Sequence, residues 1–400
     1  MRDQTKIIKE IFQQINQPNV FKFKQFESFG YGEIGLSWFN LLYEKHISKN
    51  HYEIENQLIE KILALIQEKE DLPPNLNYGL AGLTVLLNSI NNENAYFDEE
   101  EFLIDIYEIL SVGCVNYIKD NNFDFFGGAI GILNILLSAN KRIPKLISPH
   151  LEKIIEIIIT QKISLHTIKS EYEMKLDKYG ETIFDKTLNY NNGLAHGLPS
   201  IILVLSKLQN TIPNDYIKSL IYDLLNIIFN YKNPNVNEKE ELFLENIYFE
   251  KENNYRCRLA WCYSDLSLGW ALLKTGKYLN DESIIGIAEE TIEHTIKLEQ
   301  SQHLLQKTKL ICLCHGSAGN AYIYQRIFEE TGNKKYKETA ELWERNAISN
   351  YENGEIFFDP QLNEFTPNFS VMDGLTGFGL YLIARKFPES QSWNTFMLLD

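Results

Sequence analysis

Short glycine-flanked motifs recur along this 400-residue chain, and they restrict it to a repeat architecture. "GEIG" begins at Gly32, "GLAG" at Gly79, "GAIG" at Gly128, "GLAHG" at Gly193, "GSAG" at Gly316 and "GLTG" at Gly374. A degenerate seventh copy, "SDLSLG", runs from Ser264 to Gly269. Most neighbouring copies lie about 50 to 70 residues apart, room for two helices and their connections. After each motif comes an apolar stripe at helical spacing, for example Leu83, Leu86, Leu87 and Ile90, or Ile132, Leu133 and Leu136. Before each lies a second amphipathic pattern, covering roughly 5–16, 59–66, 101–118, 147–161, 214–230, 282–298 and 334–350. Convincing strand alternation is absent.

The chain therefore reads as all-α, with seven units of helix, loop, glycine motif and helix. Each unit has an apolar face that only its neighbours can cover. An open solenoid needs polar terminal caps. No terminal unit has one, so closure into an α/α toroid of inner and outer helices is expected, as a single domain over 1–400. The glycines are expected where inner helices begin, for two reasons: close backbone approach and freedom to take a positive φ in a tight turn. The connections at 165–192 and 232–256 are the longest. They read either as substrate-recognition elements beside the richest motifs or simply as long loops.

Hydrophobic residues make up 44% of the sequence, enough for a substantial core. The net charge of −16 argues against nucleic acid as a partner, because phosphate binding needs clustered Lys and Arg. The polar start lacks a signal-peptide core, and no run reaches the ~18 apolar residues of a membrane span. A cytoplasmic setting with reduced thiols is expected. The cysteines at 114, 257, 262, 312 and 314 then point to a metal or to chemistry sooner than to disulfides.

The units differ in their chemistry. "RCRLAWCYSD" carries Cys257, Arg258, Cys262 and Tyr263; "ICLCHGSAGN" carries Cys312, Cys314 and His315; "NNGLAHGLPS" carries His196; "FDFFGGAIG" carries Asp124. If the repeat is structural, Cys262, Cys314 and His315 converge. Two thiolates and an imidazole suit zinc, and three protein ligands leave one position open, as catalytic zinc sites do. Buried cysteines also serve as small apolar side chains and a lone histidine as a satisfied polar group, so both readings stand at this point.

"WCYSD" at 261–265, "CHGSAGN" at 314–320 and "NGLAHGLPS" at 192–200 resemble the signature motifs of the lanthionine synthetase C-like cyclases. The resemblance covers essentially the whole chain. It implies a seven-fold α/α toroid with a central zinc held by Cys262, Cys314 and His315. It implies His196 as the acid/base, with Asp124, Arg258 and Tyr263 matching further site positions. It also implies lanthipeptide (lantibiotic) biosynthesis, in which cysteine thiolates of a ribosomally made precursor add to dehydroalanine or dehydrobutyrine and close thioether rings. A separate dehydratase must make those residues. A transporter in a membrane-associated complex is implied by the resemblance alone. Ser264, Asp265 and Ser267 depart from the family pattern and put the local loop shape in doubt. That departure leaves a non-catalytic, zinc-containing peptide- or thiol-binding toroid as the alternative. Cys114, Cys257 and Cys312 are assigned to packing.

Overall fold

The computed structural model describes residues 3–17, 28–49, 52–68, 72–94, 99–168, 174–176, 182–184, 189–249, 255, 258–300, 308–354, 357–359, 364–366 and 368–400. These residues are mostly helical. The helices are α1 (Gln4–Ile15), α2 (Glu33–Tyr43), α3 (Tyr52–Glu68), α4 (Leu80–Asn94), α5 (Glu99–Lys119), α6 (Ala129–Asn140) and α7 (Pro144–Thr160). Then come α8 (Leu198–Thr211), α9 (Asp215–Asn230), α10 (Asp265–Leu279), α11 (Glu282–Gln300), α12 (Ser317–Thr331), α13 (Lys334–Glu352) and α14 (Leu375–Lys386). Among the described residues, strand structure is confined to three antiparallel pairs of two or three residues per strand: Met174–Leu176 with Thr182–Phe184, Tyr190–Asn191 with Asn246–Ile247, and Phe357–Asp359 with Glu364–Thr366. Strands this short carry no readable alternation, which is why the sequence pattern did not show them.

Two kinds of helix follow from two kinds of sequence. Helix α9 buries Ile217, Leu220, Ile221, Leu224, Leu225 and Ile228, one stripe at 3.6 spacing, and leaves its other face to solvent. Helix α6 is buried on every side, including Asn134, because apolar neighbours surround it. Four buried helices pack on the amphipathic helix that follows them: α6 on α7, α8 on α9, α10 on α11, α12 on α13.

The contacts divide the chain into two compact units, one of residues 1–106 and 305–400, the other of residues 107–304. Within the second unit the buried helices α6, α8 and α10 stack side by side. Within the first, the N-terminal helices α1 and α2 pack directly against the last helix, α14. The Gln4 amide donates to Glu344 at 2.8 Å, and Glu344 also accepts from Tyr381 and Arg385. The first and last repeats are thus neighbours, as closure requires and an open solenoid forbids.

The glycines do not work as one of the two expected reasons held. Gly32, Gly128, Gly197, Gly316 and Gly374 cap their helices with φ between −118° and −139°, ordinary extended backbone. What they provide is room. The chain folds back so tightly that a Cβ on Gly79 would lie 1.8 Å from the Pro73 carbonyl oxygen, and one on Gly377 1.8 Å from that of Val371. The fourth motif also shifts in register. Helix α8 starts after Gly197, not Gly193. Gly193 instead leaves space for the Tyr263 ring, whose Cε1 would lie 2.4 Å from an added Cβ.

In the degenerate copy the cap is Ser264. Its hydroxyl donates to the Ala260 carbonyl at 2.6 Å and accepts from the Ser267 amide, so α10 begins in the same register as its counterparts. The connection before it is no free loop: Leu242, Phe243, Leu244 and Ile247 are buried, and Asn246–Ile247 pairs with Tyr190–Asn191.

Candidate active site

The candidate residues occupy fixed places in the turn that precedes each buried helix. One residue before the cap stand Tyr31, Tyr78, Gly127, His196, Tyr263, His315 and Asp373 in the seven repeats. Two before it stand Gly30, Asn77, Phe126, Ala195, Cys262, Cys314 and Met372. Backbone hydrogen bonds join the latter position from repeat to repeat. Ala195 N–H donates to the Cys262 carbonyl at 3.4 Å, Cys314 N–H to that of Met372 at 2.9 Å, and Met372 N–H to that of Gly30 at 3.1 Å.

In the unit of residues 107–304, Asp124 is aimed by its own turn. One carboxylate oxygen accepts from Gly127 N–H at 2.6 Å, and the other meets His196 Nδ1 at 2.7 Å. The Phe126 ring lies edge-on to the imidazole at 5.7 Å between centroids. Burial disfavours the His196 cation, but the charge and hydrogen bond of Asp124, helped by Cys262, outweigh it and raise the imidazole above its ordinary value. Cys262 is buried, and its Sγ lies 3.2 Å from Arg258 Nη2. Arg258 also donates through Nε to the Tyr263 carbonyl at 3.1 Å and pairs with Glu245 at 3.0 Å. The Tyr263 hydroxyl accepts from Asn191 at 2.9 Å, and burial holds it neutral.

In the unit of residues 1–106 and 305–400, the turn before α12 carries Cys314 and His315, both part-exposed, and a fully buried Cys312. Gly316 permits this fold-back, since a Cβ there would lie 2.4 Å from Cys312 N. Ligand atoms of Cys312, His315 and Asp373 all lie within 4.8 Å of one another, a group able to hold a metal ion. Cys312 is buried as expected, but it is also part of this donor cluster. Cys114 is packing: it is fully buried, its thiol is 3.5 Å from the Ala129 carbonyl, and burial pushes it far up. Cys257 lies outside the described residues.

Sequence reasoning missed Asp373 and Glu245. The repeat register would have found the first, because Asp373 stands where His196 and His315 stand. Nothing in the pattern marks Glu245, which lies in the polar connection before α10.

A family model described as "Lanthionine synthetase C-like protein" matches residues 7–398. The chain belongs to the lanthionine synthetase C-like family. Among solved structures, a nisin cyclase matches with a TM-score of 0.72 and 18% identity, covering 100% of this chain and 97% of that one. The family member described here therefore has the α/α toroid fold expected from its repeats. A sugar epimerase from a ruminal bacterium aligns at a TM-score of 0.39 and 10% identity over 96% of this chain and 98% of its own, too low to define a shared fold. No helix among the described residues is long and apolar enough to cross a membrane.

Proposed function

We infer that this chain is a zinc-dependent lanthionine cyclase acting as one domain over 1–400, with Cys262, Cys314 and His315 as the metal ligands. The observation that carries the reading is the Asp124–His196 pair at 2.7 Å in the same unit as a Cys262 sulfur held by Arg258. Family membership over nearly the whole chain supports a peptide substrate; in this reading it is a precursor that carries cysteines and dehydroalanine or dehydrobutyrine, prepared by a separate dehydratase.

The donors fit zinc. Two thiols and an imidazole match its softness, and one of the thiols already sits beside a cation. When bound, zinc would keep an incoming peptide thiol deprotonated at neutral pH, where a free thiol with its ordinary value near 8.5 is mostly protonated. The residues of the chain do the rest. Addition of the sulfur to the β-carbon of the dehydro residue moves charge onto its carbonyl oxygen. Arg258 supplies positive charge for that oxygen or for positioning the peptide. His196, whose cation Asp124 favours, delivers the proton to the α-carbon, and the neutral Tyr263 lines the same turn.

The test uses a synthetic peptide with one cysteine and one dehydroalanine, followed by loss of its free thiol to an alkylating reagent. Cys314→Ala is expected to lose both bound zinc and ring closure. A zinc-free Cys314→Ala protein of full activity would remove the reading. Zinc retained by the wild type, with no closure of any dehydrated peptide, would point instead to a peptide-binding member of the family.

A further inference from the structure

Asp373 is the one acidic residue that the seven repeats place directly before a helix cap. The backbone belt seats it: Cys314 N–H donates to the carbonyl of Met372, its chain neighbour, so the turns of the sixth and seventh repeats lie edge to edge. Its Oδ1 faces His315 Nδ1 at 3.6 Å. That oxygen is buried and has no hydrogen-bond partner among the described residues. The third member of the cluster, Cys312, is fully buried.

An imidazole has two nitrogens, and which one meets a metal is decided by what the other one meets. With Nδ1 turned toward a carboxylate, coordination by this ring would fall to Nε2. A carboxylate behind the ring fixes the tautomer and raises the ligand's basicity. An unpartnered buried acceptor costs free energy unless a donor reaches it, and the His315 ring N–H is the donor placed to do so.

We propose that Asp373 is a positioning residue for the metal centre, holding His315 through Nδ1 so that Nε2 is presented to the ion. The proposal rests on the zinc reading above. Asp373 itself touches neither metal nor substrate.

Zinc affinity of the whole chain, measured by competition with a chromophoric chelator, tests it without any turnover. Wild-type protein should bind one zinc. Asp373→Leu should bind it roughly 10- to 100-fold more weakly, the range seen when such outer partners are removed. Asp373→Asn, which keeps an acceptor without the charge, should recover part of that loss. In a His315→Cys background the same Asp373→Leu change should alter affinity by less than about twofold, because the residue acts only through the imidazole.

Equal losses in both backgrounds would make Asp373 a structural residue and overturn the proposal. Two zinc ions in the wild type, falling to one in Asp373→Leu, would make it a ligand and overturn it too. Should His315→Cys fail to fold, the cobalt-substituted protein decides: Asp373→Asn must shift the cobalt d–d bands of an otherwise unchanged site, and an unshifted spectrum refutes the role. A wild type without zinc affinity refutes the reading beneath it instead.

Discussion

His196 is exposed over 36% of its side chain, and its partner Asp124 over only 9%. The buried partner is the one that cannot leave, so the imidazole is held from behind while its other edge stays open to a substrate. This division fixes a pH dependence. Asp124 raises the folded-state pKa of His196, so the cation persists to higher pH than in a free histidine and is lost as pH rises through that raised value. If His196 works as the acid, ring closure falls on the alkaline side at that point. Asp124→Asn removes the charge that holds the cation. The alkaline fall should therefore move to lower pH, with bound zinc unchanged. His196→Ala should slow closure by about 10²- to 10⁴-fold while zinc stays bound. A pH–rate profile of the Asn variant that overlays the wild type would dismiss the acid role. The sequence made the histidine and aspartate visible through their motifs. Asp373 was legible in the same way but went unread: it stands before its glycine motif as His315 does, yet a single carboxylate beside a glycine is common in any turn.

The turn that leads into α10 shows what an element can hide. Its sequence reads as a departure from the glycine pattern, yet Ser264 caps the helix and Asp265 anchors the incoming connection, accepting from Leu242 N–H at 2.5 Å and Phe243 N–H at 3.1 Å. Glu241 accepts in return from Asp265 N–H at 3.1 Å and is fully buried. Burial, with Asp265 and Glu245 as like-charged neighbours, pushes Glu241 well up against the pull of the Asp265 amide and Arg258. Burial likewise pushes Asp265 up to about 7, with Glu245 adding to it and Lys232 opposing. Carboxyls raised in the folded state stabilise it while protonated. For Asp265 that contribution is full below the unfolded value near 4 and is lost as pH climbs toward 7; for Glu241 it is lost as pH rises through its own raised value. Glu241→Gln keeps the acceptor for the Asp265 amide and removes one titrating group and one neighbour's charge. The melting temperature of this variant should fall less between pH 5 and pH 8 than that of the wild type; an identical fall in both would show that the pair does not titrate as described. None of this was readable beforehand. Periodicity finds helices such as α9 because water lies on one side of them, whereas buried carboxylates in a connection leave no periodic trace.

Across the whole molecule, the repeat count and the absence of terminal caps were enough to anticipate closure, because seven apolar faces in series leave two uncovered unless the ends meet. The meeting is visible within the unit of residues 1–106 and 305–400. Ile7, Ile8, Ile11 and Ile15 of α1 are buried, α1 packs on α14, and Met372 N–H donates to the Gly30 carbonyl. Of the two reasons expected for the glycines that made the repeat legible, close backbone approach holds and a positive φ does not. Closure has a consequence that separates it from a fraying solenoid end. In a solenoid, damage to the terminal helix stays with that helix, since each repeat leans on its sequence neighbours alone. Here α1 also leans on the repeat farthest from it in sequence. Ile11→Ala, which empties a fully buried site, should cost about 2–5 kcal/mol. Native-state hydrogen exchange should report that loss at Leu375–Lys386 as well as at Gln4–Ile15. Faster exchange confined to the first helix, with α14 protected as before, would mean that the chain's ends touch without supporting one another.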